Sequence, residues 1–478
     1  MNKRAKKTKV IATLGPASST KEIMLELVKA GADVFRINFS HADYELVKRN
    51  VDIIREINQE YGYNISILGD LQGPKLRVGV VKEGSFLNPV DVLTFTNEPC
   101  EGDSTKVFMT YEKFPQDVKV GERILIDDGK LVFEVIDTNQ KDTVKAKTIQ
   151  GGPLSSKKGV NLPNTNVSLP ALTEKDIEDA KFMIENEFDW IALSFVRHAQ
   201  DIIDLKKLIQ AHSDFKIPII AKIEKPEGVK NIDEILLECD GLMVARGDLG
   251  VEVPMEEVPV IQKKLVDKAR YYSKPVIIAT QMMETMISSL TPTRAEVNDV
   301  ANNVLDGADA VMLSGETSVG KYPVDVVKNI TKIIKNIEST NLYEKKNDII
   351  EKITCVDDRF VTDMVCLNAV KIAETTGAAA IITLTHSGYT AFQISAHRPT
   401  SRIIVFSSNR RVLTMLNLLW GVRAFYYDMN KSTDETVIQV NMLTHHYGYV
   451  EKGDFVVNLN AMPVYEGGKT NTLRLTTI

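Results

Sequence analysis

Eight short apolar runs recur between Lys9 and Thr317, and they constrain the fold more than any other feature of the chain. They are KVIATLG from Lys9, VFRINF from Val34, ISILGDL from Ile65, WIALSFV from Trp190, IPIIAKIE from Ile217, GLMVARGDL from Gly241, PVIIATQM from Pro275 and AVMLSGET from Ala310. Such runs, without polar alternation, read as strands buried on both faces of a parallel sheet. Helical stretches lie between them. The first has a capping box from Ser19 to Glu22 and a stop at Gly31. Another starts at Thr173 and carries Ile177, Ala180, Met183 and Ile184 at helical spacing. Eight strands alternating with helices predict an α/β fold, a closed (β/α)8 TIM barrel. A doubly wound open sheet is the alternative, weakened because no GxGxxG follows the first strand.

The rhythm breaks twice. Between Leu71 and Leu172 the chain is rich in Val, Thr, Gly and Lys, with a turn signal at Asp128-Gly129. VLTFT, RILIDDGKLVFEVI and TVKAKTI read there as antiparallel strands, so residues 72–171 are expected to form a β-rich lid over the catalytic end of the barrel. Beyond residue 340, AAIITLTHSG, RIIVFSSN and DFVVNLN alternate with helices, as in a separate small α/β domain over 341–478. Residues 1–71 and 172–340 are left for the barrel. The 478 residues suit about three domains. No repeat of fixed period is visible.

Composition narrows the partners. A net charge of −6 argues against nucleic acid, although local basic clusters can still bind phosphate. No apolar run approaches the roughly 20 residues of a membrane helix. The basic start, MNKRAKKTKV, has no apolar stretch after it and reads as a solvated tail, not a secretory signal. Cys100, Cys239, Cys355 and Cys366 are scattered without metal spacing, which fits packing roles in a reducing cytoplasm.

Active sites of such barrels gather at the C-terminal ends of the strands. Those ends offer Arg36, Asn38 and Ser40 on the second strand, Asp70 on the third, and Lys222 and Glu224 on the fifth. Arg246 and Asp248 follow the sixth, Thr280 the seventh and Glu316 the eighth. Lys222 and Glu224 are two residues apart and so share a face. This much charge on one rim is costly unless it is used or paired. Glu224 and Asp248 are hard oxygen ligands that suit Mg (or Mn) better than a caged zinc. Together with the fixed charges of Arg36 and Lys222 they form the set that phosphoryl transfer requires. In the lid, Lys157 and Lys158 of SSKKGVNLP form a candidate clamp for a polyphosphate.

TKVIATLGPAS, FRINFSHAD, DLQGPKLR, KKGVNLP, AKIEKPEG, MVARGDLG, ATQMMETM, PTRAEVNDVANNVLDGAD and LSGETSVGKYP follow one another in an order that resembles the pyruvate kinase family. The resemblance spans the barrel and lid and continues more weakly to the C-terminus. It implies transfer of the phosphoryl group of phosphoenolpyruvate to ADP, giving pyruvate and ATP, in a cytoplasmic homotetramer. By the same resemblance Lys222 stabilises the moving phosphoryl and the enolate, Arg36 grips the phosphate, and Glu224 and Asp248 hold the divalent metal. Gly247 and Asp248 offer amides to the substrate carboxylate, and Thr280 belongs to a proton relay through water. Asn38, His41, Arg77 and Lys158 match nucleotide contacts, and ADP brings a second metal. Thr385, His386, Ser387, Gly388, Tyr389 and Thr390 match an effector-phosphate loop, with GGKTNT at 467–472 as a second wall. Enzymes activated by fructose-1,6-bisphosphate usually carry Lys and Arg where this chain has His386 and Tyr389, so the expected activator is another phosphorylated sugar or a nucleotide.

Two other readings use the same residues. A lyase or aldolase would stabilise a pyruvate enolate with the metal and transfer no phosphoryl group, but it has no use for a lysine-bearing lid. A non-catalytic phosphate sensor would not need Lys222, Glu224, Asp248 and Thr280. The chain also departs from the potassium-dependent pattern. Asn38, Ser40, Asp70 and the carbonyl of Leu71 match a monovalent-cation site, yet Leu71 replaces the usual Thr and Lys75 the usual Glu. The Lys75 ammonium can supply the charge that K otherwise supplies. Activity is therefore expected to persist when potassium is omitted from a sodium-free assay; collapse without potassium and recovery on adding it would refute that role.

Overall fold

The computed structural model describes residues 6–340, 358–428, 433–462 and 468–478. Each of the eight apolar runs forms a strand: β1 (Lys9–Thr13), β2 (Val34–Asn38), β3 (Ser66–Asp70), β4 (Trp190–Leu193), β5 (Ile219–Ile223), β6 (Gly241–Ala245), β7 (Val276–Ala279) and β8 (Ala310–Leu313). All pair in parallel and close into a barrel in chain order, β1 lying between β2 and β8. The open-sheet alternative is thereby excluded. Helices cover the outside, so almost every strand residue is buried.

The helix caps follow local hydrogen bonding more closely than residue pattern. Lys21–Ala30 starts at Thr20, whose hydroxyl accepts from the Ile23 amide, not at Ser19. Ser19 is drawn away because its hydroxyl donates to the Gly15 carbonyl at 2.9 Å. Gly31 ends that helix with φ +124°, as its position suggested. Glu174–Glu185 starts at Thr173 in a reciprocal box with Asp176.

One feature of the barrel's N-terminal end repeats. Asp33, Asp189, Asp240 and Asp309 directly precede β2, β4, β6 and β8. Each donates its amide to the carbonyl of a residue at the start of the preceding strand: Val10, Ile67, Ile219 or Val276. Its carboxylate then accepts that same residue's amide, at 2.9, 2.7, 3.0 and 2.9 Å. Four two-bond clamps therefore hold the strands in pairs. A charged acceptor strengthens each one.

Three of the four clamps have a second partner in the C-terminal part of the chain. Arg398 grips Asp309 with two bonds of 2.9 and 2.8 Å, Thr414 donates to Asp189, and Arg423 lies 3.9 Å from Asp33, which also pairs with Lys6. Burial raises the Asp33 carboxyl, but Lys6, Lys9 and Arg423 outweigh it and hold it below the usual range. Asp240 instead pairs at 3.2 Å with Lys216, which is 70% exposed. Apolar packing is continuous across the same junction, with Leu413, Leu416 and Trp420 in one core with the barrel.

The C-terminal sheet has the order β11-β10-β9-β12-β13, from β9 (Ala380–Leu384), β10 (Arg402–Ser407), β11 (Val422–Tyr426), β12 (Phe455–Asn460) and an antiparallel edge, β13 (Thr472–Thr477). Residues Val92–Thr96, Lys106–Phe108, Arg123–Ile126, Leu131–Thr138, Thr143–Gln150 and Val160–Asn161 form a separate six-stranded sheet. Its own core is centred on Phe95 and Phe133, whose rings meet edge to face at 5.8 Å. It is mostly antiparallel, as expected, with one parallel pair between Val92–Thr96 and Lys106–Phe108. It leaves the barrel after β3 and so stands over the C-terminal strand ends. Cys239 and Cys366 are buried, and burial pushes the Cys239 thiol up to about 12; Cys355 lies outside the described residues. No described helix is long and apolar enough to cross a membrane.

The clamps differ in what their second partner supports. Arg398→Met strands a buried Asp309 carboxylate and should cost about 3–5 kcal/mol. Lys216→Met removes a solvent-exposed pairing and should cost under about 1 kcal/mol. Urea denaturation of the two variants against the parent tests the contrast, and equal losses would show that Asp309 does not depend on its arginine.

Candidate active site

Alternation along β5 points Lys222 into the mouth of the barrel, where it is the hub of a chain of opposite charges. Its ammonium lies 3.0 Å from Asp70 Oδ1, 3.0 Å from Glu224 Oε1 and 2.6 Å from Ser194 Oγ. Asp70 Oδ2 accepts from Arg36 Nε at 2.7 Å, and Arg36 Nη1 donates to Thr13 Oγ1 at 3.1 Å. Three strand ends, those of β2, β3 and β5, thus contribute to one string running Arg36, Asp70, Lys222, Glu224.

The electrostatics follow from this order. Burial alone would pull the Lys222 pKa down, but the charges of Asp70 and Glu224 outweigh it and hold it above the ordinary lysine value. Burial raises Asp70, yet Lys222 and Arg36 overcome that and keep it below the usual carboxylate range. Glu224 moves up, first because it is buried and then because Asp248 lies close, against the pull of Lys222. Two carboxylates that repel one another in a buried site leave a demand for positive charge there. A hard divalent cation fits that donor set.

Two residues that the sequence reading did not single out hold this arrangement. Ser194, just past β4, bonds Lys222 and donates to the Leu71 carbonyl at 2.7 Å. Phe195, at φ +56°, donates its amide to Glu224 Oε2 at 2.8 Å. The available signal was WIALSFV itself, which ends at the same rim as the other strands.

Thr280 stands at φ +68°, a strained conformation for a β-branched residue. Its Oγ1 donates to the Ala279 carbonyl at 2.6 Å and accepts from the Gly247 amide at 2.7 Å. That amide, expected to face substrate, is therefore engaged by Thr280. Asp248 is half-buried in the first turn of Arg246–Glu252. Two other rim candidates serve the frame. Arg246 is bidentate to Asp299 at 2.7 and 2.8 Å and caps the Thr280 carbonyl. Glu316 accepts the amides of Met283 and Ser314.

Asn38 Oδ1 accepts from the Ser40 amide at 3.1 Å and starts the turn Phe39–His41. In the lid, Arg77 Nη1 donates to the Lys157 carbonyl at 3.0 Å, and Lys158 lies 3.0 Å from Asp127 Oδ1. Lys75 lines the cleft between lid and barrel together with Phe195, Lys225 and Asp248.

The loop at 384–390 leaves β9 and enters the helix Tyr389–Ala396. Gly388 sits there at φ +88°, and a Cβ would come within 2.9 Å of Leu416 and Met415. Thr385, His386, Ser387, Tyr389 and Thr390 line a cavity of about 470 Å3 with Gly468, Lys469 and Thr470 opposite; Gly467 lies outside the described residues. The Tyr389 hydroxyl is already bonded to Asp363 at 2.8 Å, and Thr390 to Thr470 at 3.0 Å.

Comparison with known proteins agrees with this geometry. Residues 5–327 match the family model "Pyruvate kinase, barrel domain", and 363–476 match "Pyruvate kinase, alpha/beta domain". A pyruvate kinase of Mycobacterium intracellulare is 41% identical over 472 residues, covering 98% of both chains. One from Geobacillus stearothermophilus is 42% identical over 98% of this chain and 80% of its own. A crystal structure of a pyruvate kinase from Cryptosporidium parvum superposes with a TM-score of 0.92 at 32% identity, covering 99% of this chain and 97% of that one. The chain belongs to the pyruvate kinase family.

Proposed function

We propose that the string Arg36, Asp70, Lys222, Glu224 is the working part of a pyruvate kinase, which moves the phosphoryl group of phosphoenolpyruvate to ADP. The observation that carries this is the surroundings of Lys222, which two carboxylates and a serine keep charged and aimed into the barrel mouth. A lysine held above its usual pKa gives up no proton near neutral pH. It acts as a fixed charge on the transferring phosphoryl and the enolate oxygen, not as the acid that protonates carbon. Arg36, oriented by Asp70, meets the substrate phosphate.

A Mg (or Mn) ion held by Glu224 and Asp248 would supply Lewis-acid charge to substrate oxygens. Phe195 and Lys222 fix where the Glu224 oxygens point. Substrate carboxylate competes with Thr280 Oγ1 for the Gly247 amide, with the Asp248 amide beside it. Release of that bond frees a lone pair of Thr280 Oγ1 to accept from water, and the hydroxyl, turning from the Ala279 carbonyl, joins a relay that protonates the methylene carbon through water, since a threonine is a poor acid by itself. Asn38, His41, Arg77 and Lys158 receive the nucleotide. Asn38, Ser40, Asp70 and the Leu71 carbonyl are the monovalent-cation positions. Arg36 and Lys222 already neutralise Asp70, and Ser194 already takes the Leu71 carbonyl, which favours activity without K.

The same reading divides the chain into a barrel (1–71 and 172–340), a lid (72–171) and an effector domain (341–478). It makes the protein a cytoplasmic homotetramer in which a phosphorylated sugar or nucleotide occupies the cavity at 385–390.

Pyruvate formation from phosphoenolpyruvate, followed with and without ADP, is expected only with ADP; formation without it would favour a lyase, and none in either case a sensor. Lys222→Met should lower turnover about 100-fold or more while circular dichroism stays unchanged; full activity would remove Lys222 from the mechanism. Ser387→Asp with Thr390→Asp should abolish activation by a phosphorylated effector and spare basal turnover, because like charge repels the phosphate; unchanged activation would place the effector elsewhere.

A further inference from the structure

Glu252 ends the helix Arg246–Glu252, whose first turn carries Gly247 and Asp248. Its side chain is 1% exposed. Oε1 accepts from Lys225 Nζ at 2.6 Å and from Asn161 Nδ2 at 2.7 Å. Oε2 is buried with no hydrogen-bond partner among the described residues. Lys225 follows Glu224 directly. Asn161 belongs to the lid, where Val160–Asn161 pairs with Leu125–Ile126. A single carboxylate oxygen therefore joins the lid, the end of β5 and the helix that holds Asp248. The three groups meet in the cleft that Asn161, Lys225 and Asp248 line.

Among the described residues, the other hydrogen bonds between lid and barrel lie at the lid's two roots. The Gly73 amide donates to Asp176 at 3.0 Å, and Arg197 donates to the carbonyls of Val167 and Leu169. Bonds at a hinge survive its rotation. Asn161 lies outside those roots, and its bond breaks when the lid lifts. The arrangement makes that breakage inexpensive in one respect. Asn161 is neutral and can turn to water, whereas Glu252 keeps the Lys225 ammonium and is never left as a lone buried charge. The bond that remains when the lid is down, neutral donor to charged acceptor, is of the stronger kind.

We propose that Glu252 is the latch of the lid: Asn161 closes onto it when nucleotide is bound, and Lys225 holds the carboxylate aimed at the incoming amide. Glu252 is a positioning residue, acting through Asn161 and Lys225. Its effect passes through the height of Arg77 and Lys158 above the rim, so the inference rests on the reading that those two residues bind ADP. The nucleotide, not phosphoenolpyruvate, is then the substrate whose apparent affinity senses the latch.

Steady-state kinetics of the full-length enzyme test this. Asn161→Ala should raise KM for ADP about ten-fold, the loss expected for a hydrogen bond to a charged group. KM for phosphoenolpyruvate and the thermal midpoint should not move. Asn161→Ser, which keeps a donor, should recover part of the loss, and Asn161→Asp, which faces Glu252 with like charge, should exceed it. Glu252→Gln combined with Asn161→Ala should raise KM for ADP less than the product of the single effects. Lys158→Ala is run beside them. If it raises KM for ADP and Asn161→Ala does not, the latch is refuted while the lid reading stands. If neither variant changes it, the lid does not bind nucleotide and the latch loses its basis.

Discussion

A lysine buried in a barrel mouth stays charged only if carboxylates surround it, and most of this active site answers that requirement. Desolvation acts against the Lys222 ammonium, and Asp70 and Glu224, both 3.0 Å away, outweigh it. Their own burial must then be offset. Asp70 is offset by Arg36, which Thr13 steadies in turn, and Glu224 by the Phe195 amide as well as Lys222. No member is stable alone, because removing either partner of a buried pair strands the other. Phosphoryl transfer asks little more of a protein than charge held in place before the reaction begins. This string holds such charge at strand ends that the barrel makes rigid.

At the opposite end of the barrel the same chemistry does a different job. Four aspartates tie the strands in pairs by two bonds each, using backbone groups that would otherwise lie unpaired at strand starts. Three of them also meet Arg398, Thr414 or Arg423. The C-terminal part of the chain thus contacts the groups that set how β1 to β4, β7 and β8 begin. Asp189 is tied to Thr414 at one end of β4, and Ser194, beside Lys222, stands just past the other end. The candidate site stands at the far ends of these same strands.

The barrel was legible because eight runs buried on both faces leave few alternatives, and their starts fall within two residues of the strands formed. The lid and C-terminal sheet were legible as strand patterns, although β11 and β13 lack a distinctive run. Arg36, Asp70, Lys222 and Glu224 could be named because alternation in a strand fixes which face a residue takes. Arg246 and Glu316 carry the same signal, a charge at a strand end, yet both are spent on frame contacts that only tertiary structure reveals. Ser194 and Phe195 were missed because a hydroxyl and a backbone amide carry no charge pattern. The aspartate clamps escaped for another reason. Helices of unequal length and the inserted lid destroy any constant period, so a repeat obvious in space has none along the chain.

Thr280 shows how far the site departs from an ideal barrel. Positive φ at a β-branched residue costs on the order of 1–3 kcal/mol, and the next residue, Gln281, is also at φ +52°. Neighbours sustain that strain: Arg246 holds the Thr280 carbonyl, Asp299 holds Arg246, and the Thr280 hydroxyl spans from Ala279 to the Gly247 amide. Arg246 is thus not a failed catalytic candidate. It is the reason a threonine can remain in this conformation with its hydroxyl bonded to the Gly247 amide. The strain and the occupied amide are two parts of one device, in which the Gly247 donor is kept satisfied and so kept in place.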